Sequence, residues 1–156
     1  WGDGRLVVSG NRLNTMASCP LSPHLLLLGG QDPFVWLYDR RFLGGASHDS
    51  VPLGIFRPED VPWADAQVTG VAMSPCGDRF LASWSGHHIF EFSATAGQPR
   101  PTGFALPTMQ NISSATLAEF SGHTNIRTVK EVAYIGRAAA LVASGSDDGQ
   151  LYIWDR

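Results

Sequence analysis

Three stretches of this chain can be laid over one another, and that repetition constrains the fold more than any other feature. Placing Asp39 under Asp155 aligns Leu25–Asp39 with Leu141–Asp155 without a gap. Asp32 then falls under Asp148, Gly29 under Gly145, Val35 under Leu151, Leu37 under Ile153 and Tyr38 under Trp154. Placing Val68 under Val129 matches Val71 with Val132, Ala72 with Ala133, Ala82 with Ala143, Ser83 with Ser144 and Ser85 with Ser146. One unit is present in three copies, the middle one degenerate. Units of this length are single supersecondary elements that cannot bury both faces alone and must stack on neighbours.

Each unit reads as a short alternating strand, a turn, an apolar strand, a second turn and a third strand. Alternation in Leu151-Tyr152-Ile153-Trp154 sends Leu151 and Ile153 to one face and Tyr152 and Trp154 to the other. All four are large, as expected of a strand sandwiched between two sheets. Asp148-Gly149 supplies the positive-φ preference of a tight hairpin turn. Ser74-Pro75-Cys76-Gly77 does similar work in the middle unit, with proline where its fixed φ helps.

The third copy is the fullest. Gly122-His123 is followed by Ser144-Gly145-Ser146-Asp147-Asp148-Gly149 and a closing Trp154-Asp155, an arrangement that resembles one WD40 repeat. The resemblance implies an all-β fold, a WD40 β-propeller that is incomplete, with about three blades of a larger ring. At roughly 40–45 residues per blade, 156 residues fall short of most closed rings of about 4–8 blades. The chain also opens on Trp1 rather than Met, and we read it as an internal piece of a longer protein. The expected organisation is one partial propeller over 1–156, with repeats near 10–56, 66–106 and 120–156. Long Gly- and Pro-rich stretches, 42–65 with Gly44-Gly45 and 94–119 with Gly97-Gln98-Pro99-Arg100-Pro101, each hold an outer strand plus a surface loop. Long loops on a rigid scaffold are where binding usually resides, although both could equally be tolerated insertions.

Composition excludes several function classes. A chain 44% hydrophobic and 16% charged is too poor in charge for disorder. A net charge of −3 gives no basic footprint for nucleic acid. The longest apolar run, Leu25 to Leu28, is too short to span a bilayer, and no membrane association is expected. Cys19 and Cys76 lie beside prolines in similar turns and read as buried small residues rather than a disulfide. The histidines show no metal-binding spacing, so neither metal nor cofactor is expected. Adjacent His87 and His88 read as an exposed turn. Asn111-Ile112-Ser113 is formally a glycosylation sequon, meaningful only in a secretory lumen for which nothing else argues. A reducing cytoplasmic or nuclear setting fits this chemistry best.

His123, Ser144, Asp148 and Trp154 resemble the hydrogen-bonded tetrad of WD40 blades. A buried imidazole needs partners on its ring nitrogens, the aspartate would fix its tautomer, and the serine hydroxyl would relay to the indole N–H. A Ser-His-Asp catalytic reading is disfavoured because the serine lies within a strand and a tryptophan closes the network. The other copies have lost parts of the set: Leu28 replaces the serine and Tyr38 the tryptophan in the first, and Phe92 takes the tryptophan position in the second. A stabilising network can decay blade by blade, whereas an active site cannot be half-copied.

Leu26 to Arg41 resembles the sixteen-residue box of WD-repeat substrate receptors of cullin-4 ubiquitin ligases. Gly29 and Gly30 are its small residues, Asp32 its acid, Val35 and Leu37 its aliphatics, and Tyr38-Asp39-Arg40-Arg41 its closing aromatic-Asp-x-Arg. In that family the terminal arginine meets the adaptor that links receptor to cullin, which implies Arg41, with Asp39 and Tyr38 beside it. Leu27–Arg41, Val68–Phe92 and Phe120–Trp154 together are similar to the WD-and-tetratricopeptide-repeat group of such receptors. The resemblance implies a non-catalytic scaffold whose partners are the cullin-4 ligase adaptor and an unidentified protein substrate. The competing reading is a WD scaffold in a chromatin or trafficking complex unrelated to ubiquitin.

Overall fold

The computed structural model describes residues 11–43, 51–95 and 112–156. Gly44-Gly45, Gly97–Pro101 and Asn111 of the sequon lie outside the described residues. Alternating apolar residues between turn formers give β1 (Leu13–Ser18), β2 (Leu25–Gly30), β3 (Val35–Asp39) and β4 (Gly54–Phe56), then β5 (Val68–Met73), β6 (Arg79–Trp84) and β7 (Ile89–Ser93). After these come β8 (Ile112–Ser113), β9 (Thr116–Phe120), β10 (Val132–Ile135), β11 (Leu141–Gly145) and β12 (Leu151–Asp155). They form three sheets of order β1-β2-β3-β4-β8, β5-β6-β7-β9 and β10-β11-β12. All pairings are antiparallel except β4 with β8. Among the described residues these sheets stand as three blades of an incomplete β-propeller and do not close a ring.

The first and third sheets share one register: Leu25 faces Asp39 and Leu27 faces Leu37, as Leu141 faces Asp155 and Ala143 faces Ile153. The middle sheet departs from the sequence alignment by one residue. Met73 pairs with Phe80 across six intervening residues, whereas Ile135 pairs with Leu141 across five. Val71 and Val132 both point backwards in the stack, so β5 aligns as the sequence suggests. Beyond the longer turn, Leu81 points forward like Ala143, and Ala82 backward like Ser144. Ala82, not Ser83, is therefore the positional counterpart of Ser144, because a one-residue slip exchanges the two faces of a strand. Phe92 does occupy the backward-facing position of Trp154.

The core lies between blades. Between the first and second sheets, Phe56, Phe80, Phe92 and Trp84 pack at centroid separations of 4.8–6.1 Å, and the Trp84 indole donates to the Pro33 carbonyl at 3.0 Å. Between the second and third, Leu81, Ile89 and Phe120 meet Val132 and Val142. A carboxylate is also buried there. Glu91, 1% exposed, accepts from Tyr134 Oη at 2.9 Å and from Arg79 Nη1 at 3.4 Å, with Arg156 Nη1 at 3.7 Å. Burial first, and then the Glu91 charge, push the Tyr134 hydroxyl far above the ordinary tyrosine range. The forward face of the third sheet is open, leaving Leu151 69% and Ile153 52% exposed. Cys19 is buried, but Cys76 is exposed, contrary to expectation, because Pro75-Cys76 forms the tip of its turn; both thiols are free.

Candidate functional site

β3 ends at Asp39, and Arg40–Phe42 coil into a single 3₁₀ turn capped by the Asp39 side chain. Asp39 Oδ1 accepts from the Arg41 backbone N–H at 2.9 Å. The Arg41 guanidinium donates to the same carboxylate, Nε at 3.0 and 3.1 Å and Nη2 at 2.6 Å. The Arg41 hydrogen bond is the main cause holding the Asp39 carboxyl below its usual range. Asp39 is 5% exposed and Arg41 60%, so a buried acid fixes the direction of a surface cation. Bidentate geometry of this kind is specific to arginine.

Tyr38 is 7% exposed, packed with Leu28 and Leu43, and burial followed by the Asp32 charge raises its hydroxyl pKa. Neither Tyr38 nor Asp39 reaches the surface where Arg41 stands; the first fills the blade and the second aims the arginine. Phe42 does reach it, 75% exposed with its ring centroid 5.8 Å from the guanidinium. In the sequence, the signal for Phe42 is an aromatic directly after the box arginine.

The small residues of the box serve packing. A Cβ on Gly29 would sit 2.4 Å from Val68 Cγ1 of the next sheet, and one on Gly30 would meet the Arg12 carbonyl at 2.1 Å. Gly29 thus sets how closely the first two blades approach.

His123, Ser144, Asp148 and Trp154 all belong to the third sheet and its entry loop, but their hydrogen bonds run elsewhere. His123 stacks edge-on against Trp154 at 5.6 Å, and neither ring nitrogen has a hydrogen-bond partner. The Ser144 hydroxyl donates to backbone carbonyls of Glu131 or Gly145, each at 3.0 Å. The Trp154 indole donates to the Ser121 carbonyl at 2.9 Å. Asp148 accepts from the Gln150 N–H at 3.0 Å and from Tyr152 Oη at 2.9 Å. Burial is the chief cause keeping the imidazole pKa low, followed by repulsion from His88 and Lys130. His123 thus packs its ring against Trp154, and Tyr152 takes the contact with Asp148 that the tetrad assigns to histidine.

Asp147, its neighbour, is the hub of that end of the blade. It accepts from the N–H groups of Ile126 at 2.6 Å and Arg127 at 2.8 Å, from the Thr128 hydroxyl at 3.2 Å, and from Lys130 Nζ. The Arg127 and Lys130 hydrogen bonds are the largest causes of its strongly lowered pKa. His88 pairs with Glu119 on the exposed turn. Among the described residues no group of three or more His, Cys, Asp or Glu side chains could hold a metal ion.

Residues 114–155 match the family model described as WD domain, G-beta repeat. Those residues are a WD40 repeat. The chain is 35% identical over 95 residues to Protein ALTERED SEED GERMINATION 2 of Arabidopsis thaliana, a stretch covering 53% of this chain and 12% of that protein. It is 43% identical over 37 residues to WD repeat protein iqw1 of Schizosaccharomyces pombe, covering 24% and 5%. The shared segment is thus a small part of either relative's length. A WD40 repeat is consistent with a protein-interaction scaffold.

Proposed function

We propose that this chain is part of a substrate receptor for a cullin-4 ubiquitin ligase, with Arg41 as the adaptor contact. The supporting observation is the Arg41 guanidinium, 60% exposed yet oriented by the buried Asp39 beside the exposed Phe42. An arginine-aromatic pair whose rotamer is already fixed is the kind of group that dominates binding energy at interfaces. In this reading the chain contributes no catalytic groups. Ubiquitin transfer takes place elsewhere in the assembly, and the receptor raises the local concentration of the target.

The test is recovery of the adaptor by the full-length protein. Arg41→Ala should lower recovery severalfold with thermal stability nearly unchanged. Arg40→Ala should be milder, since its side chain has no such clamp. If the wild-type protein retrieves no adaptor, the chain is a WD scaffold of another complex.

A further inference from the structure

The connection from β4 to β5 lifts a single indole to the surface. Trp63 is 56% exposed, yet it is held in place from below. The Arg57 guanidinium lies 4.7 Å from its ring centroid, and Phe34 meets it edge-on at 5.4 Å. Phe34 is itself 4% exposed and packs edge-on against Trp36 at 5.9 Å. Trp36 in turn donates to the Asp32 carboxylate at 3.1 and 3.2 Å. Arg57 is fixed by donating to the Val61 carbonyl. The stack from Asp32 to Trp63 is therefore assembled before anything touches it.

The fully exposed charge on the indole's segment has one sign, because Arg57 is tucked against the ring itself. Glu59, Asp60 and Asp65 are exposed on the same segment, and its sole cation, Arg57, is only partly exposed. Asp65 stands in the left-handed region at φ 64, which aspartate tolerates better than most residues. Phe34 immediately precedes β3 and Arg41 follows its end, so this patch lies at the opposite end of the first blade from the proposed adaptor contact.

We propose that Trp63 and its acidic surround form a docking point for a partner segment carrying lysine or arginine next to an apolar residue. The apolar residue packs on the exposed part of the indole and the cation meets the carboxylates of Glu59, Asp60 and Asp65. Tryptophan supplies large contact area at little conformational cost when its rotamer is already set. The carboxylates select a basic partner and speed its encounter. Nothing in this arrangement depends on Arg41.

Two fluorescein-labelled peptides of equal length, one alternating Lys with Leu and one alternating Glu with Leu, distinguish the possibilities when titrated into the full chain. The lysine peptide should bind, more weakly as salt is raised, and the glutamate peptide should not. Trp63→Ala should weaken the lysine peptide about tenfold. The triple variant Glu59→Gln, Asp60→Asn, Asp65→Asn should weaken it and flatten the salt dependence, while circular dichroism stays native; asparagine suits the left-handed position as well as aspartate does. Arg41→Ala should bind the peptide like the wild type, so the adaptor reading and this one fail separately. No binding of the lysine peptide, equal binding of the glutamate peptide, or full binding by Trp63→Ala overturns the proposal.

Discussion

Asn125 Nδ2 lies 2.8 Å from Thr69 Oγ1, joining the loop that leads into the third sheet to the first strand of the second. The same amide reaches Ser83 Oγ at 3.0 Å and the Trp84 carbonyl at 3.2 Å, so two N–H groups are shared among three acceptors. Asn125 is 2% exposed. Its replacement by alanine strands buried acceptors between blades and should cost about 1–3 kcal/mol. Urea denaturation of the variant measures this directly, and a loss below about 0.5 kcal/mol, the surface-site range, would show that the amide is not a staple.

Gly29 and Gly145 occupy the same place in two sheets but face different surroundings. A side chain on Gly29 collides with Val68, whereas a Cβ on Gly145 meets nothing nearer than Lys130 Cδ at 3.7 Å. Gly29→Val should destabilise by about 1–3 kcal/mol through overpacking. Gly145→Ala should change stability by less than about 0.5 kcal/mol. Equal effects in thermal unfolding would mean that the first two blades are less closely seated than described.

Acid should loosen the third blade through Asp147. Its folded pKa is lowered, chiefly by the Arg127 and Lys130 hydrogen bonds, so the folded chain binds this proton less readily than the unfolded one. Its contribution is then present above the ordinary carboxylate pKa of about 4 and is lost as pH falls through that range toward the folded value. Asp39, Asp78 and Asp148 shift in the same direction. Asp147→Asn should be less stable near neutrality and show a shallower fall in stability between about pH 4 and pH 2. An unchanged acid limb would remove Asp147 from this role.

The two thiols should differ sharply in reactivity. Cys19 is fully buried, accepting from the Ser22 N–H at 3.2 Å, whereas Cys76 stands exposed at a turn tip. A maleimide reagent should add once per native chain, on Cys76, and twice in urea, as intact-mass spectrometry would show. Rapid native labelling of Cys19 would indicate that the first blade opens locally.

The hairpins were legible because their chemistry is local: Gly149 at φ 82 and Gly77 at φ 76 sit where Asp-Gly and Pro-Cys-Gly place them. The shared register of the first and third sheets was legible because their hairpin turns have equal length. The middle sheet misled for a physical reason. Matching Ala82-Ser83 to Ala143-Ser144 by residue type overlooks one extra turn residue, and only packing against the adjoining blades shows which side of β6 faces which neighbour. At the arginine site, sequence pattern located Arg41 but could not separate residues that touch solvent from those that aim it. The roles of Asp147 and Asn125 are not legible in the sequence because they depend on partners 17 to 56 residues away.

The WD40 repeat matched at 114–155 begins with β9, yet β9 hydrogen-bonds to β7 and completes the second blade. The heritable unit and the folded unit are therefore out of phase by one strand. A gene duplication or deletion cut at repeat boundaries changes the number of blades by one but never moves a blade intact; it hands one strand to the preceding blade and takes one from the next. Each copy is obliged to fit its predecessor before it can complete itself. An engineer who wishes to exchange one blade without disturbing its neighbours should cut after the outer strand, between Phe120 and β10, rather than where the sequence repeat starts.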